Sequence, residues 1–91
     1  MKLRWLASAM ASRDAQLDDI ARDNPLAAVE QGDRIHGQVE PLLEQPNMGR
    51  PGRAEKTREL VIGRTPFIVV YLVRPRVRRI ELIRLLHGSQ Q

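Results

Sequence analysis

Residues Phe67-Ile68-Val69-Val70-Tyr71-Leu72-Val73 form a continuous apolar run rich in β-branched and aromatic side chains. Seven residues are too few to cross a bilayer. The run also lacks the alternation of a strand with one wet face. It predicts a central strand covered on both faces, so the rest of the chain must supply paired strands and a covering layer. Ninety-one residues suffice for one small domain spanning residues 1–91. The hydrophobic fraction of 42% allows a modest core.

The flanking pattern supplies both. Lys2 to Leu6 alternates and reads as a short first strand, so the opening stretch belongs to the fold and is not a leader. From Ser8 to Asp23 the period turns helical, with Met10, Leu17, Ile20 and Ala21 on one stripe. Asn24 can cap a second helix, and Pro25 suits its first position because that N–H needs no partner. This helix is predicted over Pro25 to Leu43, with Ala28, Gly32, Ile35, Val39 and Leu42 on one face and a bend or frayed turn at Pro41. Gln45 to Arg53 holds two Pro and two Gly and reads as a loop. Strands follow at Thr57–Ile62, Phe67–Val73 and Val77–Leu86. In the last, Ile80, Leu82, Arg84 and Leu86 fall on one face, and Glu81, Ile83, Leu85 and His87 on the other. Residues 88–91 read as a loose tail. The expected fold is α+β in the order β-α-α-β-β-β, an antiparallel meander under an N-terminal helical hairpin.

The chemistry-bearing residues are few. There is no cysteine, and the two histidines, His36 and His87, make a metal site improbable; no cofactor motif is present. Three aromatic residues are too few for a platform that stacks single-stranded nucleic acid. Charge is divided unevenly: residues 1–49 carry a net −3 and residues 50–91 a net +7. The basic half suggests a polyanionic or acidic partner, or simply a solvated arginine-rich sheet face. Arg50, Arg53, Lys56, Arg58, Arg64, Arg84 and His87 contain the parts for phosphodiester cleavage: a histidine to move protons and arginines to hold the phosphate. The plainer alternatives are that His87 is a structural hydrogen-bonding residue, His36 lies at the boundary of a helix face, and Tyr71 packs in the core with a bonded hydroxyl. Arg76, Arg78 and Arg79 would then keep a strand edge soluble. If the C-terminal strand is that edge, it could accept a partner's strand or helix.

Read together, several segments resemble the RelE/ParE superfamily of bacterial type II toxin–antitoxin toxins. They are Lys2-Leu3-Arg4-Trp5, Asp23-Asn24-Pro25, Pro46 to Arg53, Thr57-Arg58-Glu59-Leu60-Val61, Thr65 to Tyr71, and Ile83-Arg84-Leu85-Leu86-His87-Gly88. They span nearly the whole chain, in order. The resemblance implies a cytoplasmic growth-inhibiting toxin, held in a hetero-oligomer by a cognate antitoxin that folds upon it, with no cofactor, metal or membrane.

RelE-like members cut mRNA on the ribosome, whereas ParE-like members inhibit DNA gyrase. The RelE-type arginine before the third strand's Leu-Val-Tyr is replaced here by Ile68, and Lys56 stands alone where a lysine-rich stretch is usual. The ending Ile-Arg-Leu-Leu-His-Gly looks ParE-like. The resemblance therefore favours a gyrase inhibitor over a ribosome-dependent endonuclease. A non-toxic or DNA-binding accessory protein is a third reading, resting on charge alone. Under the gyrase reading, Arg50, Arg53, Arg58, Arg64 and His87 would touch the target. Under the nuclease reading, Arg53, Lys56, Arg64, Arg84 and His87 would be catalytic. The apolar positions Leu17, Ile20, Ile35, Val39, Ile80 and Leu82 would meet the antitoxin.

Overall fold

The computed structural model of the protein describes residues 1–88. Strand β1 (Lys2–Trp5) leads into helix α1 (Ala7–Asp23) and helix α2 (Pro25–Val39), followed by a 3-10 turn at Glu40–Leu43. Strands β2 (Arg50–Pro51), β3 (Thr57–Val61), β4 (Phe67–Arg74) and β5 (Arg79–His87) complete the chain, with a second 3-10 turn at Pro75–Val77. One mixed sheet results, in the order β1-β5-β4-β3-β2. The β3–β4–β5 meander is antiparallel as expected, and β1 pairs parallel with β5, Lys2 opposite Arg79 and Trp5 opposite Leu82.

The helical hairpin forms for the reasons present in its sequence. Asn24 Oδ1 accepts from the Ala27 N–H at 3.1 Å, with Pro25 at the first turn. Pro41 cannot donate to Gly37, and α2 gives way to a 3-10 turn from Glu40. Ile35, Val39 and Leu42 are fully buried, with Ala28 and Gly32 half-buried on the same stripe. A methyl on Gly32 would sit at ordinary contact distance, 3.5 Å, from Leu17 Cδ1, so this position faces α1. Polar bonds fix α1 on β5: Ser8 Oγ donates to the Ile83 carbonyl (2.7 Å), Gln16 Nε2 donates to the Leu85 carbonyl (2.7 Å), and Ser12 Oγ accepts from the Leu85 N–H (2.9 Å).

Several expectations change. The loop over residues 45–53 contains β2, two residues that pair with Arg58 and Glu59. Val77 belongs to the turn, and the last strand starts at Arg79. That strand is interior, flanked by β1 and β4, so it offers no free edge for a partner; the sheet edges are β1 and β2. The register shifts beyond Val70/Tyr71, with Val70 opposite Arg84 and Tyr71 opposite Leu82, leaving Ile83 as the extra residue. The bulge breaks the simple alternation. Leu85, not Leu86, joins Ile80 and Leu82 in the core, and His87 lies on that same helix-facing side against Phe67. Met10 is 42% exposed, and Ala9 takes the buried place on α1. Gly88 is tied down through its N–H to the Pro66 carbonyl; the remainder of the predicted tail, residues 89–91, lies outside the described residues.

The central strand is buried on its helix side through Phe67, Val69 and Tyr71. On the other side no helix covers it. Ile68 is shielded there (2% exposed) between its strand neighbours Val61 and Leu86, while Val70 and Leu72 remain half-buried. Of the sequence candidates, Arg53 and Arg84 lie on that open side of the sheet.

Candidate functional site

The open face presents a groove of about 410 Å³ lined by Arg53, Ala54, Thr57, Glu59, Val70, Ile83, Arg84 and Leu86. Its rows follow from the strand register. Arg50 on β2 faces Glu59 on β3, Glu59 faces Val70 on β4, and Val70 faces Arg84 on β5. Arg84 and Glu59 are therefore two strands apart, about 10 Å between backbones. Apolar Val70, Ile83 and Leu86 form the floor and arginines form the rim.

Glu59 orders this rim. Its carboxylate is 6% exposed, accepts from the Arg53 N–H at 3.2 Å, and lies 3.4 Å from Arg50 Nη2 and 3.7 Å from Arg53 Nε. A carboxylate removed from water requires such partners. The arginines are half-exposed, so water screens these pairs and their role is to position the guanidinium groups more than to stabilise the fold. Glu59 was not among the residues singled out in the sequence. Its signal is a lone acid in the middle of a strand that alternates Thr57-Glu59-Val61 on one side.

The remaining sequence candidates disperse. Arg58 points to the helix side of the sheet edge, where Nη1 donates to the carbonyls of Gly49 (2.7 Å) and Asn47 (3.3 Å), so it braces the loop before β2. Arg64 sits in the β3–β4 turn with a left-handed backbone (φ 64°), its carbonyl accepting from Arg34 Nη1. Lys56 lies towards the β4–β5 turn, lining a hollow with Arg74 and Arg76. His87 lies across the sheet from Arg84, edge-on to Phe67 at 5.9 Å, in a separate cleft that includes Gln16, Asp19 and Gln31. Arg50, Arg53 and Arg84 are thus gathered in one place, and Lys56, Arg58, Arg64 and His87 are not.

Of the six apolar positions predicted for a partner, Ile35, Val39, Ile80 and Leu82 have no exposed surface. They fill the interface between the hairpin and the sheet, because a domain this small needs every large apolar side chain on facing surfaces for its own core. Leu17 and Ile20 are half-buried beside them. Partner-accessible apolar surface lies instead on the helices, at Met10, Leu26 and Val29, and on the open side of the sheet, at Val61.

Tyr71 is fully buried, and its hydroxyl donates to the Pro46 carbonyl (2.7 Å) while accepting from the Gly49 N–H (2.8 Å). Burial raises its pKa above the ordinary value, against smaller opposing effects of the Gly49 bond and the Arg58 charge. It is a structural clamp. His36 is exposed and lies beside Trp5 (ring centroids 5.4 Å apart), with the Arg13 guanidinium 4.6 Å from the Trp5 ring centre. Among the described residues no cluster of His, Cys, Asp or Glu is arranged to hold a metal ion, and no helix is long and apolar enough to cross a membrane. The groove can grip an acidic or phosphorylated surface through its arginines and an apolar one through its floor. No histidine lines it, and its one carboxylate is occupied by ion pairs.

Comparison with known proteins agrees with this architecture. Residues 3–91 match the family model for "ParE toxin of type II toxin-antitoxin system, parDE". "Putative toxin Y4kP" of Sinorhizobium fredii (strain NBRC 101917 / NGR234) is 37% identical over 90 residues, covering 99% of this chain and 91% of that protein. A solved structure, "Chromosomal ParDE TA system from P. aeruginosa", superposes with a TM-score of 0.84 at 29% identity, over 96% of this chain and 95% of that one.

Proposed function

Because this chain belongs to the ParE family of type II toxin–antitoxin toxins, we propose that it arrests growth by inhibiting DNA gyrase. A cognate antitoxin holds it inactive in a cytoplasmic complex; the similar P. aeruginosa structure is of a ParDE system. The observation that carries the choice of target is the division of the basic residues across the sheet. Arg53 and Arg84 share the open groove, while His87 lies on the helix side. Cleaving RNA requires a proton-transferring group within hydrogen-bond reach of the phosphate that the arginines hold. This arrangement favours binding over cleavage. The position where a nuclease would place its strand arginine is Ile68, shielded between Val61 and Leu86.

On this reading the groove receives a protein surface, with Arg50, Arg53 and Arg84 as its charged contacts. The test is supercoiling by purified gyrase at increasing toxin. Wild-type protein inhibits, and Arg53→Ala/Arg84→Ala weakens inhibition at least about tenfold, as expected when two charged contacts are lost. Unaltered supercoiling at saturating toxin rejects the gyrase target. Cleavage of messages on translating ribosomes, lost in His87→Ala, would establish the nuclease reading in its place.

A further inference from the structure

The β4–β5 turn gathers a second set of cations that the groove does not use. Arg74 and Arg79 are the final pair of the β4–β5 ladder, and Lys2 lies beside Arg79 on β1. Arg76 and Arg78 sit exposed on the turn, and Lys56 lines one hollow with Arg74 and Arg76. The Lys2 N–H donates to the Arg78 carbonyl (3.0 Å), fixing the turn against β1. Glu81 neutralises part of this charge, with Arg74 at 3.4 Å and Arg79 at 2.9 Å. Glu55 is the sequence neighbour of Lys56 and is solvent-exposed. Among the described residues Lys2, Lys56, Arg76 and Arg78 form no ion pair.

We propose that this end of the sheet binds the phosphate backbone of duplex DNA. Backbone recognition requires cations fixed relative to one another and no base-reading chemistry. A single strand would in addition require aromatic faces for stacking. None is offered here: Phe67 and Tyr71 are buried, and Trp5 is engaged by Arg13 and His36. A protein partner would seek a large apolar or aromatic anchor; the turn fully exposes only Pro75 and Val77, with Leu72 and Val73 half-buried in the lining of the hollow and no aromatic residue among them. The α1 acid Asp19 is held away from the turn. Asp19 lines the cleft at the Phe67–His87 end of the sheet, about 24 Å along the ladder from Arg74 and Arg79. The proposal does not rest on the gyrase reading.

The test is fluorescence anisotropy of the purified chain with a labelled duplex of arbitrary sequence, titrated from about 50 to 200 mM salt. Binding is expected to weaken with a log–log slope near −0.9 per phosphate neutralised, about −3.6 for the four unpaired cations. Lys56→Asn/Arg76→Gln/Arg78→Asn removes three of them, with asparagine chosen because Lys56 and Arg78 have positive φ. The slope should become shallower by about 2.7 and the affinity at low salt fall at least about tenfold. If that variant fails to fold by circular dichroism, Arg76→Gln alone should reduce the slope by about 0.9. Arg22→Gln/Arg34→Gln on the helices should alter neither quantity. No salt-dependent binding by the wild type, or equal losses in the helix variant, would overturn the proposal. So would displacement of the duplex by polyglutamate at equal charge, which would assign the turn to an acidic protein.

Discussion

Tyr71 joins β4 to the loop before β2 through one hydroxyl bonded to Pro46 and Gly49. Tyr71→Phe leaves a buried N–H and a carbonyl without that partner and should cost about 1–3 kcal/mol in denaturant unfolding. The chain has one tyrosine, so its ionisation can be followed directly by ultraviolet absorbance. Because the folded pKa is raised above 10.0, the neutral phenol is retained in the fold after an unfolded chain has lost it. The contribution is therefore full below pH 10 and is lost as pH rises through the higher folded value. Unfolding free energy should fall with pH in that window for the wild type, and less so for Tyr71→Phe. Gly49→Ala would bring a methyl within 2.7 Å of the same ring and is expected to destabilise the protein. Ile35→Ala should cost about 2–5 kcal/mol of toxin stability, measured without any partner. Tyr71's role was legible because a polar aromatic in an apolar strand must bond its hydroxyl. The roles of Ile35, Val39, Ile80 and Leu82 were not, since an apolar stripe has the same sequence pattern whether its own sheet or a partner covers it.

The helical hairpin was readable almost to the residue because its boundaries rest on local chemistry: Asn24 caps, Pro25 starts and Pro41 breaks. Asn24→Ala should cost about 1 kcal/mol, seen as a lower unfolding midpoint with an unchanged denaturant slope. The strands were located, but their neighbours were not. Parallel pairing of β1 with β5 depends on contacts between residues 2–5 and 79–82, and no local pattern announces it. The two-residue β2 was hidden among Pro and Gly, whose turn preferences outweigh so short a pairing. The bulge at Ile83 was equally silent, and it decided the site. A regular strand would have placed Leu86 in the core and turned Leu85 and His87 outward; the extra residue sets Leu85 and His87 under the helices and leaves Arg84 outside. Of the groove's lining, Arg53 and Arg84 were therefore visible as residues and none of it as an arrangement.

Across the whole molecule, charge is segregated by layer. Residues 7–39, which form the helices, carry six acidic and three basic residues, and the sheet holds most of the rest of the positive charge. The β4–β5 turn concentrates Arg74, Arg76, Arg78 and Arg79 at one end of the sheet. Such a distribution steers polyanions to one end, and the steering should weaken as salt shortens the screening length to about 8 Å. The pairing of residues 2–5 with residues 79–82 also governs timing. At about 5–20 residues per second, β1 waits roughly 4–15 s for the strand it binds. Until Arg79 to His87 clears the ribosome, the groove lacks Arg84 and the sheet lacks its second strand. A nascent chain arrested short of that point should remain protease-sensitive, and one extended beyond it should become resistant. If the groove acts as proposed, the molecule is harmless while it is being made, and an antitoxin would have the whole of that interval in which to meet it.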